Sequence, residues 1–314
     1  MSLLVVGSVA FDSVKTPFGE AKDVLGGSAS YFSVAASYFT DVRLVAVIGK
    51  DFPEEEISVF RDRNIDIDGL VSAEGETFRW EGSYGYDLNE AHTIDTRLNV
   101  FADFKPDLPR NYRESEYVFL ANIDPDLQRE VLSQVKNPKF VACDTMNFWI
   151  ENKRDSLKET IKLVDLLVIN EGEARELGED PNLVKAARKI LLWGPKRIII
   201  KRGEYGAIMF SGMHIFVAPA YPIESVFDPT GAGDSFAGGL MGYLARADSL
   251  SEADIRRGMV CGSTMASFNV EDFSLNRIKK LNRVDIMDRY TEFKNLTHFE
   301  DLSEEEFAEM GVLT

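Results

Sequence analysis

The sequence predicts an α/β protein in which a mostly parallel sheet is covered by helices on both faces. Two observations carry this. Short β-branched runs recur along the chain, and stretches of helical spacing lie between most of them. Strands alternating with helices imply right-handed crossovers between parallel neighbours. A third observation adds a smaller element, because residues 71–101 break that rhythm.

The strand runs are residues 3–9, 43–48, 117–123, 140–144, 166–170 and 197–201, each short, apolar and bounded by turn formers. Helical spacing occupies residues 28–39, 53–63, 126–135, 153–164 and 182–192. Residues 207–210 and 215–218, joined by Ser211-Gly212-Met213-His214, read as a hairpin added to the sheet edge. Within residues 71–101, Phe78 and Trp80 alternate with polar Thr77, Arg79 and Glu81. Half-exposed antiparallel strands fit this better than a crossover helix. Periodicity alone leaves two readings open, a surface hairpin or a small sheet folded over a ligand cleft. Near the end, Ser303 and Glu306 stand at capping-box spacing ahead of Phe307 and Met310, which predicts a short peripheral helix.

Composition narrows the function. The 314 residues carry 35 Lys and Arg against 52 Asp and Glu, a net charge of −17. A large nucleic-acid or anionic-membrane footprint would need clustered cations, so both are excluded as partners. A small anionic ligand is not, since backbone N–H groups and one or two cations can bind a phosphate locally. Two cysteines, Cys143 and Cys261, form no disulfide framework, and His92, His214 and His298 are too scattered for a zinc motif. A reducing cytoplasm is expected. The start, MSLLVVGSVAFDS, has no basic leader, and no run of 18 apolar residues exists. A protein acting on small molecules in solution follows.

The segment richest in chemistry is 225–240, SVFDPTGAGDSFAGGL. Gly231-Ala232-Gly233 opens a helix whose apolar positions Phe236, Leu240 and Leu244 recur every four residues. Glycines at a helix start let N–H groups approach an anion, and the helix dipole favours negative charge there. Asp234 lies in the first turn, where a carboxylate stays ionised and can take a proton from a hydroxyl. The plainer alternative is a helix cap. A dinucleotide fingerprint fails, because Phe236 stands in place of the third glycine. A Walker A loop fails too: Gly49-Lys50 is followed by Asp51 with no upstream glycine at the required spacing.

The stretch Asp228–Phe236, D-P-T-G-A-G-D-S-F, closely resembles the C-terminal signature of the ribokinase/PfkB carbohydrate kinase family. The resemblance runs along most of the chain. Gly26-Gly27 before an Ala-rich helix is similar to the family's glycine pair, and Asp12 stands where the family holds sugar hydroxyls. Asn170 and Glu173 match its N-x-x-E element, and KRGEYG at 201–206 resembles its strand-turn beside the nucleotide. The resemblance implies a ribokinase-like three-layer α/β/α core over residues 1–70 and 102–314, with residues 71–101 as a β-lid over the acceptor site. It implies an ATP-dependent kinase that phosphorylates a hydroxymethyl group. Asp234 would be the base, and the amides of Gly231, Ala232 and Gly233 an anion hole. Asp12, Gly26, Gly27, Phe78 and Trp80 would bind the acceptor. Asn170, Lys201, Gly203, Gly206, Thr230 and Asn269 would serve ATP, with Asn269 bordering the adenine. Asn170 and Glu173 would organise Mg²⁺ through water, although their spacing also suits a capping box. Asp228 would serve a monovalent cation, K⁺.

Two departures matter. Tyr31 stands four residues after Gly27, where many sugar kinases carry an Asn that meets the sugar, which weakens a plain ribose or fructose acceptor. Lys201-Arg202-Gly203 replaces the common Thr-Leu-Gly, so either cation could meet nucleotide phosphates, with a solvated surface pair as the alternative. The aromatic residues Phe32, Phe78, Trp80, Tyr84, Phe148 and Trp149 of the cleft segments favour a nucleoside acceptor through base stacking; ordinary packing is the alternative for each. Asp144 and Asn147 are expected near the acceptor. A free-sugar kinase and a non-catalytic regulatory binder remain the competing functions. An exposed lid sheet would also suit a homodimer.

Overall fold

In the computed structural model, which describes residues 2–310, the strands are β1 (Ser2–Val6), β2 (Ala10–Thr16), β3 (Gly19–Gly26), β4 (Asp41–Ile48), β5 (Asp66–Ser72), β6 (Phe78–Tyr84), β7 (Ala91–Arg97), β8 (Tyr117–Leu120), β9 (Phe140–Cys143), β10 (Leu166–Asn170), β11 (Arg197–Lys201), β12 (Ala207–Ser211) and β13 (His214–Ala218). The large sheet runs β13-β12-β11-β10-β9-β8-β1-β4-β5. From β11 to β5 every pairing is parallel, and the β12–β13 hairpin continues the sheet antiparallel.

Helices cover both faces, so the central strands need apolar side chains in both directions. Leu3 and Val5 of β1 join one core with Phe32 and Phe119. Leu4 and Val6 join the other with Val118 and Leu120. The three-layer α/β/α expectation therefore holds. The expected strands at 166–170 and 197–201 coincide with β10 and β11, while the first run is shorter and stops at Val6. The helix expected over 153–164 is present as Arg154–Ile161, and a further helix, Asn147–Asn152, precedes it, separated where Lys153 leaves helical geometry at φ −137°. The expected C-terminal helix is present as Glu304–Glu309 with its Ser303 capping box. Among the described residues no helix is long and apolar enough to cross a membrane.

The order of strands reverses at β1, which lies between β4 and β8. Connections leave such a point in opposite directions and open a crevice at the strands' carboxyl ends. Asp144, Asn170 and Lys201 lie at or just past the ends of β9, β10 and β11.

The accessory sheet corrects the expected domain boundaries. Its order is β3-β2-β6-β7. Residues 71–101 supply only β6 and β7, while Val71 and Ser72 complete β5 of the large sheet. The other half comes from residues 10–26, through a parallel pairing of Ala10–Lys15 with Phe78–Ser83. No local pattern announces a pairing across that much chain.

Candidate active site

The accessory sheet brings Asp12 over the crevice. Asp12 is buried on β2 and faces Trp80 of β6 in register. Its carboxylate accepts the Gly27 N–H at 3.3 Å. A Cβ on Gly26 would lie 2.0 Å from that carboxylate, so only glycine lets β3 close on it. Gly27 turns the chain at φ +91° into the helix Ser28–Ala36. Burial, then the nearby charges of Asp228 and Asp234, push the Asp12 carboxyl up to about 7.

Across the crevice, Gly231 in left-handed geometry (φ +74°) starts the helix Ala232–Ala247. Tyr31 packs its ring against Gly231, where a Cβ would meet ring carbons at 2.3 Å. Here the expected three-amide hole needs correction. The Ala232 N–H donates to the Pro229 carbonyl at 3.2 Å, because the turn before the helix closes on itself. Among the described residues the amides of Gly231 and Gly233 have no such acceptor, the condition under which a helix start can meet an anion.

Asp234 is half-buried in the first turn of that helix. Burial raises its carboxyl to about 6, against the opposing pull of the Lys201 ammonium and its own amide. Lys201 reaches in from the end of β11 to Gly233. The same ammonium opposes the rise of two more buried carboxyls. Glu173 is pushed up to about 7, chiefly by burial. Asp144 is driven well above its ordinary range by burial, then by Asp234. Among the described residues, one Asp144 oxygen and the Tyr31 hydroxyl are buried without a hydrogen-bond partner. The expectation for Asp144 thus gains a specific environment, a carboxylate cluster with one cation.

The two readings of Asn170 and Glu173 turn out to be compatible. Asn170 Oδ1 accepts the Glu173 N–H at 2.8 Å, and Glu173 Oε2 accepts the Asn170 N–H at 2.8 Å. That capping box starts the helix Glu171–Gly178 and holds Glu173 at the cluster. Among the described residues no three His, Cys, Asp or Glu side chains are placed to hold a metal ion between them. A Mg²⁺ ion held through water and by phosphate oxygens suits this sparse set, since Mg²⁺ dehydrates reluctantly.

Other expected residues are placed differently. Arg202 pairs with Glu171 at 2.6 Å, so Lys201 alone of the two cations reaches the helix start. Asn269 is fully buried: its amide donates to the Thr230 carbonyl at 2.7 Å and its oxygen meets Ser235 Oγ at 3.1 Å. It bolts the glycine turn to the helix Glu252–Asn269, and its side chain is closed off from solvent. Asp228 is a similar tie, accepting the N–H groups of Thr230 (2.9 Å) and Ser274 (3.2 Å). Phe78 stacks on Phe101 at 5.2 Å, and Phe32 on Phe119 at 4.5 Å within the core. Trp80 keeps its place on the face of Asp12 and is fixed by Thr93 at 3.2 Å. Trp149 donates to Asn122 at 3.0 Å, with Phe148 half-exposed beside it.

The accessory sheet also reaches the far side. The Thr230 hydroxyl lies 3.3 Å from that of Tyr84, and the Glu204 N–H donates to Asn89 at 3.4 Å beside Gly203. Gly206 completes that turn, its carbonyl accepting the Arg202 N–H at 2.7 Å. Asn89 carries no local sign of such a role.

A carboxyl near its titration point, two open amides at a helix start and a cation between them can deprotonate an alcohol and stabilise a phosphoryl group in flight. Residues 3–275 match the pfkB family of carbohydrate kinases. The chain belongs to this family. It is 30% identical over 268 residues to a cytidine kinase of Thermococcus kodakarensis, covering 82% of this chain and 94% of the relative. An inositol 3-kinase of Arabidopsis thaliana is 23% identical over 290 residues, covering 89% and 78%. Among solved structures, the Methanocaldococcus jannaschii nucleoside kinase, an archaeal member of the ribokinase family, aligns with TM-score 0.73 at 18% identity, over 93% of this chain and 98% of that one. Aminoimidazole riboside kinase of Salmonella enterica, complexed with aminoimidazole riboside and an ATP analogue, aligns with TM-score 0.71 at 18% identity, over 93% and 99%. The ribokinase-like fold and the kinase class of this pfkB protein are thereby established.

Proposed function

We propose that this kinase transfers the γ-phosphoryl group of ATP to a hydroxymethyl group of a nucleoside. The observation that carries the reading is the placement of Asp234 and the open Gly231 and Gly233 amides opposite Asp12, beneath a sheet that presents Trp80. The similarity to a cytidine kinase over most of both chains favours a nucleoside among the family's acceptors.

In this reading Asp12 accepts a hydrogen bond from an acceptor hydroxyl, and Trp80 offers a face to the base. Asp234 takes the proton of the attacking hydroxymethyl group. That oxygen forms the new bond to the γ-phosphorus as the bond to the β,γ-bridging oxygen breaks and ADP departs. The Gly231 and Gly233 amides and the Lys201 ammonium face the charge that develops on the transferred group. Glu173 and Asn170 would hold Mg²⁺ through water, and the ion would neutralise phosphate charge when ATP is bound. The accessory sheet shields the reacting groups from water.

Two finer parts belong to the same proposal. Asp228 is buried and keeps acceptor capacity beyond its two amide bonds, which supports a K⁺ requirement, read from turnover in K⁺ against choline. Strand β7 is an edge with Ile94 exposed, which supports a homodimer through the lid, read from the mass in solution.

Coupled ATP turnover across nucleosides, inositol, ribose and fructose tests the whole reading. The expected result is the highest kcat/KM on a nucleoside. A higher value on inositol or a free sugar overturns the acceptor, and ATP-dependent binding without turnover of any compound would favour a regulatory binder.

A further inference from the structure

Tyr31 is 1% exposed, and its phenol has no hydrogen-bond partner among the described residues. Buried tyrosines ordinarily satisfy this group, because an unpaired buried donor costs stability. The ring is fixed by its contact with Gly231, so the hydroxyl cannot swing out to water without opening the glycine turn. The groups whose charge bears on it are Asp12 first, then Asp228, Tyr84 and Asp234. With carboxylates on these sides the phenol keeps its proton. It is a neutral donor aimed into a region where the other polar groups mainly accept.

That combination matches one chemistry. An alcohol gives one hydrogen and takes others on its oxygen. In its ionised form, present above the value of about 7 to which burial pushes it, Asp12 accepts from a hydroxyl and cannot donate to one. Two neighbouring hydroxyls held by an acceptor and a donor together are a vicinal diol. We propose that Tyr31 is a specificity-determining residue which, with Asp12, clamps the secondary hydroxyl pair of the acceptor's ribose, so that the enzyme selects ribo over deoxyribo acceptors. This rests on the nucleoside reading above. The clamp acts on hydroxyls that are not phosphorylated, so its contribution lies in acceptor binding rather than in the chemical step.

The test is Tyr31→Phe, which removes the hydroxyl and keeps the ring against Gly231. Steady-state kinetics would be measured on the best ribonucleoside and on its 2′-deoxy and 3′-deoxy forms. The expected result is a rise in acceptor KM of about tenfold on the ribonucleoside. The variant's kcat and its KM for ATP should stay within about twofold of the parent, and the penalty should vanish on the deoxy form that lacks the partner hydroxyl. An unchanged acceptor KM, or one equal penalty on all three compounds, overturns the proposal; the second outcome would mark a packing effect through Gly231. If the wild-type enzyme prefers a sugar or polyol, the nucleoside reading fails, and the same comparison on deoxy forms of that acceptor still judges Tyr31.

Discussion

The ammonium of Lys201 lies against the backbone of Gly233, so close that a Cβ on Gly233 would sit 2.5 Å from Nζ. The residue at the end of β11 and the second glycine of the turn before the helix Ala232–Ala247 therefore form one unit. A cation is held beside an open amide at a helix start, next to Asp234.

This contact makes Gly233→Ala a selective probe. The neighbour is the tip of a flexible side chain, and alanine favours a helix over glycine, so stability should stay level or rise by up to about 1 kcal/mol. The methyl group displaces Lys201 from its post. We expect kcat to fall by roughly tenfold or more while the thermal midpoint does not drop. Unchanged kcat would show that the ammonium plays no part in transfer.

Asp234 sets the acid limb. With its carboxyl at about 6, kcat/KM should fall as pH drops through that value, because protonation removes the base. Lys201 and Asp144 face it with opposite signs. Lys201→Met removes the favourable charge and should move the acid limb to higher pH. Asp234→Asn should lower kcat by about 10²–10⁴-fold with ATP binding retained. Rate profiles over pH 5–9 on the same acceptor check all three.

Asp12 is poised for function at a cost in stability. Its carboxyl rises from 3.8 unfolded to about 7 folded, so the folded state binds its proton more tightly. Stability from this group is therefore present at low pH and lost as pH rises from about 4 to about 7. Asp12→Asn removes a buried charge beside Asp228 and Asp234. It should stabilise the protein by on the order of 1 kcal/mol at pH 8 and by less at pH 5, while acceptor binding collapses. Denaturant midpoints at the two pH values decide this, and a larger gain at pH 5 would contradict the stated cause.

Asn269 distinguishes a bolt from a nucleotide contact. Asn269→Ala breaks bonds to Thr230 and Ser235 and leaves the buried Ser235 hydroxyl without this partner. The expected loss is about 1–3 kcal/mol in unfolding free energy, with a lower kcat as the glycine turn loosens. A raised KM for ATP with unchanged stability would instead place Asn269 against the adenine.

Much of this could be read along the chain. Strands β10 and β11 match the expected runs, because strands covered on both faces must be apolar at every position. The glycine turn and its Asp234 were legible because a helix start, an anion site and a base lie within a few neighbouring residues. The Asn170–Glu173 capping box was legible for the same reason, since both partners share one turn.

What local sequence could not disclose lies in contacts between distant segments. Adjacent Lys201 and Arg202 look alike as cations, yet alternation at the strand end sends one to Gly233 and the other to Glu171. Strand β2 pairs with β6 across more than sixty residues, and that pairing sets Asp12 beside Trp80 on the accessory sheet. Tyr31 stands out in the sequence as a departure from an expected Asn, but only the fold shows its ring against Gly231 and its hydroxyl buried without a partner among the described residues. Side-chain pattern and turn chemistry act over a few residues and are written in the chain. The electrostatics of Asp12, Glu173, Asp144 and Asp234 arise from burial beside one another, which exists only once the layers have closed.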